Sequence, residues 1–415
     1  MYKKRRITNL QLQNKKNTRT KYKNNKNSKN SKSNKYTQLK TQHLKGGKFL
    51  GEGSFGCVVS PAIPCGIKNL QSSSKSSKTV SKLLLAPTEE DKEELNISNK
   101  LKIIDPEQKH FITFEDVCRI KNIPSNRSNT ISVEYNDDSL KHYDILDNKQ
   151  HDKQYCPLDL RLNPINLIMP YGGYDLINIF SNKNKDIQFL RTRKMLIANF
   201  KQCFKNLLVG IYKMHDSRIV NRDIKNENIM ANYNENSKRI DLRFIDFGLS
   251  TILKPEYCKT TRNIDIRGTA GFTSPDLVIA FNINDNRSFE TILKILMKDT
   301  KNIIDSFKEY NLTLNFDNFV RNLYDRIMME YKTRDILHTF FGTDKSKFNG
   351  YLQKGDIYGL GITMYIFLKN LNKKYAINKL SNTKLHNLLL NMIQLNPDDR
   401  YNIAQCLNHP YFADT

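Results

Sequence analysis

A chain of 415 residues with 38% hydrophobic and 10% aromatic side chains is long enough for one large domain or two ordinary ones, and too apolar to be disordered throughout. Its net charge of +25 is unevenly placed: fifteen of the 67 Lys and Arg residues fall within residues 1 to 45, where there is no Asp or Glu. Seven scattered cysteines without a C-x-x-C pair argue against a disulfide framework or a zinc site, and no apolar run approaches a membrane span or a secretory leader, so a soluble protein of a reducing intracellular compartment is expected.

Residues 1 to 45 read as a disordered basic arm, either simply solvated or making non-specific contact with polyanions such as nucleic acid. Lys48-Phe49-Leu50 is the first strand, and Gly51-Glu52-Gly53-Ser54-Phe55-Gly56-Cys57-Val58 follows it. Glycines at that spacing let backbone amides approach phosphate groups, but an ordinary hairpin turn has the same composition. A dinucleotide-binding turn should open a helix, which Pro61 and Pro64 forbid, so the loop joins two strands. Asn69 to Lys78 is a Ser/Lys-rich loop, and Thr79 to Leu85 is a strand with Val80, Lys82 and Leu84 on one side. The acidic run Glu89-Glu90-Asp91 then opens an amphipathic helix whose apolar positions Ile97, Leu101 and Ile104 recur at three and four residues. Asn166 to Met169 is a short strand ended by Pro170-Tyr171-Gly172-Gly173, after which the pattern is mostly helical, Phe189 to His215 being the longest candidate helix.

Two segments carry the chemistry: Val220-Asn221-Arg222-Asp223-Ile224-Lys225-Asn226-Glu227-Asn228, and Phe244-Ile245-Asp246-Phe247-Gly248 beyond it. In order and spacing they resemble the H-R-D-L-K-P-E-N and D-F-G motifs of the protein kinase superfamily, with the glycine loop upstream as a third match. Gly268-Thr269-Ala270-Gly271-Phe272-Thr273-Ser274-Pro275-Asp276, Asp356-Ile357-Tyr358-Gly359-Leu360-Gly361, Arg400, and the ending Ala404 to Phe412 resemble later segments of the same family, so the likeness spans about residues 46 to 412. His409 reads as a structural hydrogen-bonding residue. Lys225 and Thr269 favour the serine/threonine branch, whereas the Lys/Asn richness and the inserts resemble kinases encoded by large DNA viruses of the mimivirus type, a likeness that implies host cytoplasm or virion.

The resemblance implies an α+β, bilobal fold: a small β-rich N-lobe with one main helix over 46–170, and a larger α-helical C-lobe over 171–415 with an insertion at about 277–353. A second insert is read from about Arg119 to Asn163, and helical stretches are read at Phe289 to Tyr310 and Phe316 to Phe341. The family's substrates are ATP, with Mg2+, and protein hydroxyls, and a monomer without membrane attachment is expected. Carried over residue by residue, Asp223 orients the acceptor hydroxyl and takes its proton, Lys225 steadies the γ-phosphate, Asn228 and Asp246 hold magnesium, and Phe247 packs behind the site. Gly51, Glu52, Gly53, Ser54, Phe55, Gly56 and Val58 cover the nucleotide, with Met169 and Tyr171 at the adenine end. Asp175 is either a ribose ligand or a helix N-cap.

The family also requires a lysine on the third strand paired with a helix glutamate. Lys82 is preferred to Lys68, which sits between Pro64 and the Ser/Lys loop, and Glu94 is preferred to Glu93 and Glu90. Arg222 could receive a phosphate on Thr260 or Thr261, beside Lys259 and Arg262. Asp276 stands where the family has Glu. Asn221 replaces the usual histidine, which removes a packing imidazole and is expected to loosen the active alignment. The competing readings are a catalytically dead scaffold, a nucleic-acid-associated protein acting through its arm, and a small-molecule phosphotransferase.

Overall fold

The computed structural model describes residues 43–45, 48–53, 56–63, 65, 79–84, 89–119, 130–134, 140–144, 165–180, 184, 186–253, 268–269, 271–284, 288–296, 298, 321–322, 325 and 345–413. The chain divides into two units, Met1–Lys40 and Thr41–Thr415. The basic arm up to residue 42, Ser54, Phe55, Lys68 with its Ser/Lys loop, Thr260, Thr261 and most of both inserts lie outside the described residues.

A five-stranded antiparallel sheet is built from β2 (Lys48–Gly53), β3 (Gly56–Ser60), β4 (Thr79–Leu84), β8 (Ile165–Pro170) and β5 (Asp116–Arg119), in that spatial order. The hairpin β2–β3 closes with Gly53 opposite Gly56, so the glycine loop joins two strands. β4 is buried on both faces from Val80 to Leu84, including the polar Ser81 on one face and the charged Lys82 on the other. Helix α1 (Glu89–Ile104) packs on the Lys82 side, where Leu95 meets Leu84, Ile165 and Leu167. Its Glu94, Ile97, Ser98 and Leu101 are buried at the three- and four-residue spacing of one helix face. Three further strands, β1 (His43–Lys45), β6 (Thr130–Glu134) and β7 (Leu140–Asp144), form a separate sheet in the order β1-β7-β6, with β1 parallel to β7.

The helical part begins after β9 (Tyr174–Asp175) with α2 (Ile187–Ala198) and α3 (Phe200–Asp216). The sequence reads these two as one helix; Asn199 separates them, closing α2 with its amide on the Met195 carbonyl at 3.0 Å and adopting non-helical angles. The longest described helix is instead α5 (Lys345–Tyr375), 31 residues long. From Ile357 to Leu371 it is buried around most of its circumference, as a helix in the middle of a core must be. Around it stand α4 (Pro275–Asn284), α6 (Thr383–Met392), α7 (Ile403–Leu407) and the strands β10 (Ile219–Val220), β11 (Ile229–Asn234), β12 (Arg239–Phe244) and β13 (Thr251–Ile252). One apolar cluster runs from Ile97 and Leu101 of α1 through Phe111, Phe244 and Phe247 into α3 and α5, so the helix of the small lobe shares its core with the large one. No helix among the described residues is long and apolar enough to cross a membrane.

The cysteines depart from expectation. Cys65 and Cys118 are joined as a disulfide across 53 residues, a pairing invisible in their sequence spacing.

Candidate active site

Three short segments meet between the sheet and the helical part. Lys82, central on β4, projects its ammonium onto Glu94 Oε1 of α1 at 2.6 Å and onto Asp246 Oδ1 at 3.0 Å. Only 9% of Lys82 and 5% of Glu94 are exposed. Burial opposes the charge on Lys82, but Asp246 and Glu94 outweigh it and hold the ammonium above its ordinary pKa. Asp246 responds in the opposite sense: burial works against ionisation, and Lys82 with its hydrogen bond holds the carboxyl below the usual carboxylate range.

The loop after β10 is built around Asp223. Asn228 donates its amide hydrogens to the Asp223 carbonyl at 2.9 Å and to Oδ2 at 2.8 Å. Lys225 donates to the same Oδ2 at 2.8 Å and to Thr269 Oγ1 at 2.8 Å, while the Thr269 hydroxyl donates to Asp223 Oδ1. Both carboxylate oxygens are therefore oriented. From below, Asp356 of α5 accepts the amides of Asn221 and Arg222 at 2.8 Å each and the His215 Nε2 proton at 3.0 Å. Arg222 adopts φ of 66°, and its Nε donates to the Leu249 carbonyl at 2.6 Å, clasping the segment after Asp246. Ile245 donates its amide to the Asn228 carbonyl at 3.0 Å, which brings Asp246 next to Asn228. Phe247 is buried edge-on to Phe111, with ring centroids 6.0 Å apart.

An acid held by a lysine, a threonine and an amide stands beside a second acid clamped by a sheet lysine, an arrangement of carboxylates and cations able to orient a hydroxyl and bind phosphate groups. The comparisons agree with it. Residues 165–290 match the protein kinase domain family. The chain is 23% identical over 250 residues to the DNA damage response protein kinase of Saccharomyces cerevisiae, covering 52% of this chain and 34% of that protein. It is 22% identical over 221 residues to the meiosis-specific serine/threonine-protein kinase of Schizosaccharomyces pombe, covering 50% and 36%. It is 40% identical over 147 residues to calcium-dependent protein kinase 4 of Plasmodium falciparum, covering 34% and 27%. The fold is that of a protein kinase domain. The chain spans little more than a third of the length of these relatives, or less.

Within this fold the structure brings together Lys82, Glu94, Asp246, Asp223, Lys225 and Asn228. Glu93 is exposed and takes a different partner, the Thr251 hydroxyl at 3.5 Å, which links α1 to β13. Met169 and Tyr171 are half-buried around the end of β8. Asp175 is engaged as a cap: it accepts the Asn178 amide at 2.7 Å and the Asn178 side chain at 2.9 Å. Gly51, Glu52, Gly53 and Gly56 lie on the β2–β3 hairpin and Val58 is half-buried opposite Lys82. Gly173, with φ of 98°, lies so near the Ala231 carbonyl of β11 that a Cβ would sit 2.1 Å from its oxygen, which explains a glycine there.

Asn221 does more than vacate a packing position. It is buried, and its side-chain oxygen accepts the Asp223 amide at 3.0 Å, a local turn bond that holds the backbone of the acid. Asp276 reaches Arg400 despite its shorter side chain: the pair stands at 2.7 Å with both side chains fully buried. His409 accepts the Tyr411 amide and donates to Asn387 at 3.0 Å, both structural bonds. Sequence reasoning missed His215, which has no motif around it, and it used Thr269 only as a mark of the branch. The acidic N-terminus of α1 offered three glutamates of equal local character; the Glu90 side chain lies outside the described residues, and packing separates the buried Glu94 from the exposed Glu93.

For a divalent cation the donor set fits. Asp246 presents a carboxylate, and Asn228, whose amide hydrogens are engaged by Asp223, has its hard carbonyl oxygen left for a metal.

Proposed function

We propose that this chain is a serine/threonine protein kinase that transfers the γ-phosphoryl group of ATP to protein hydroxyls. The observation that carries the reading is the doubly oriented carboxylate of Asp223. An acceptor hydroxyl donating to Asp223 loses its proton there as its oxygen bonds to the γ-phosphorus and the bond to the ADP oxygen breaks. Lys225 faces the charge that develops on the transferred group, and Thr269 keeps Asp223 turned towards the acceptor. Lys82, held between Glu94 and Asp246, is positioned for the α- and β-phosphates. Magnesium, when held by Asp246 and Asn228, supplies neutralisation of phosphate charge.

The serine/threonine assignment rests on Lys225 and Thr269 and on what the relatives are called. A scaffold without activity is the competing reading, and the preserved Asp223, Asn228 and Asp246 speak against it. Incorporation of γ-phosphate into a generic basic protein decides between them. Asp223→Ala is expected to lower turnover about 10²- to 10⁴-fold, and Lys82→Met to abolish measurable transfer. Equal labelling by wild type and Asp223→Ala ends the enzyme reading.

A further inference from the structure

The chain leaving β3 turns back over the face of the sheet opposite Lys82. Ala62 donates to the Thr79 carbonyl at 3.1 Å and Ile63 donates to Ser81 Oγ at 2.8 Å. The Asn166 amide donates to the Ile63 carbonyl at 2.7 Å, and Ile63 is buried. Ser81 alternates with Lys82 on β4, and Asn166 pairs with Leu83 and with Cys118, so Ser81, Asn166 and Cys118 share the face away from the ion pair. Residues 61–63 thus form a strap across that face, and Cys65 beyond it is bonded to Cys118 on edge strand β5 with the Cα atoms 5.5 Å apart.

Two features make this bond a site of exchange. Both cysteines are partly exposed, which places the bond near the protein surface rather than in the core. The Asn166 amide nitrogen stands 3.7 Å from each sulfur, and an N–H directed at sulfur stabilises the thiolate that attacks or leaves in disulfide exchange. The free cysteines among the described residues differ: Cys203 and Cys406 are buried, and burial pushes both thiols up to about 12.

We propose that Cys65 and Cys118 form a reversible dithiol–disulfide site, exchanging with small thiols of the glutathione class, that fastens or releases the strap over the sheet bearing Lys82. In closing, one cysteine thiolate attacks a glutathione disulfide and expels one glutathione thiolate. The second cysteine thiolate then attacks the mixed disulfide, forming the Cys65–Cys118 bond and expelling the second glutathione, so two protein thiols are oxidised as one glutathione disulfide is reduced. The site needs no nucleotide and stands independently of the phosphotransfer reading.

The full chain is equilibrated across ratios of reduced to oxidised glutathione, alkylated, digested and analysed by fragmentation mass spectrometry, with Tm recorded in parallel. Oxidised protein is expected to yield a link from Cys65, not Cys57, to Cys118, and reduction to lower Tm by roughly 5 °C, because the bond closes a long loop. Cys65→Ser and Cys118→Ser are expected to melt at the reduced temperature in either buffer, and Asn166→Val to slow reduction by glutathione about tenfold. Should the serine variants fail to fold, the wild-type ratio series alone decides. Free alkylation of both cysteines after oxidation, a link through Cys57, or a bond that glutathione cannot open at any ratio overturns the proposal.

Discussion

The amide hydrogen of Asp223 is buried, and the Asn221 side-chain oxygen meets it at 3.0 Å. Asn221 is also held by its own backbone, through Asp356 on one side and the Ser250 hydroxyl on the other. Removing the side-chain acceptor strands a buried donor, which costs about 1–3 kcal/mol. Asn221→Leu is therefore expected to lower kcat roughly tenfold, taking 1.4 kcal/mol as tenfold, with little change in KM for ATP. Asn221→Ser keeps an acceptor and should recover most of the loss. A leucine variant with wild-type kcat would show that the turn is held by other bonds. This residue was legible as a departure from the family motif, yet its effect was not, because sequence shows that an imidazole is missing without showing what the amide does in its place.

Between elements, the strongest ties are polar and buried. Arg400 donates to Asp276 at 2.7 Å and to the Leu395 carbonyl at 3.0 Å, with its guanidinium over the Tyr358 ring, and so joins α4 to the chain before α7 and to α5. Asp276→Ala leaves an uncompensated buried charge and should destabilise by about 3–5 kcal/mol. A urea midpoint unchanged from wild type would contradict that role. The turn after α1 is tied in another way: Asp105 accepts the amides of His110 and Phe111 at 2.7 and 3.1 Å, and His110 Nδ1 donates to the Asn206 carbonyl at 3.1 Å. Burial depresses the basicity of His110, against the pull of Asp105 and with some help from Lys213 and Lys109. Between that depressed pKa and the ordinary value of about 6.5, the unfolded chain binds more protons than the folded one, so stability falls as pH drops below about 6.5. Urea midpoints at pH 7.5 and 5.5 should differ less in His110→Gln than in wild type, and an equal fall in both would assign the acid sensitivity elsewhere.

At the scale of the whole molecule, the charge and the chemistry occupy different parts of the chain. Residues 1–40 carry fourteen Lys and Arg residues without an acid, whereas every member of the Asp223 and Asp246 networks lies within the unit Thr41–Thr415. Deleting residues 1–40 is accordingly expected to leave intrinsic phosphate incorporation within about twofold of wild type. A collapse of turnover on that deletion would mean that the arm takes part in the catalytic unit. The Lys82 and Asp246 pair, by contrast, spans the two lobes through side chains 164 positions apart, and the apolar cluster from Ile97 to α5 supports it from behind.

Contiguous motifs made the β2–β3 hairpin, the Asp223 loop and the segment around Asp246 readable from the chain alone, because each depends on local backbone geometry written within a few neighbouring residues. The periodicities that placed Lys82 on a strand and Ile97 and Leu101 on one helix face belong to the same class. What tertiary structure alone decided are the partners: Glu94 among three glutamates, His215 with Asp356 across 141 positions, and Cys65 with Cys118 across 53. A charged or sulfur-bearing residue looks the same in sequence whether it faces water or a distant partner. Only the packing of the elements between them removes the water and makes one pairing cheaper than the rest.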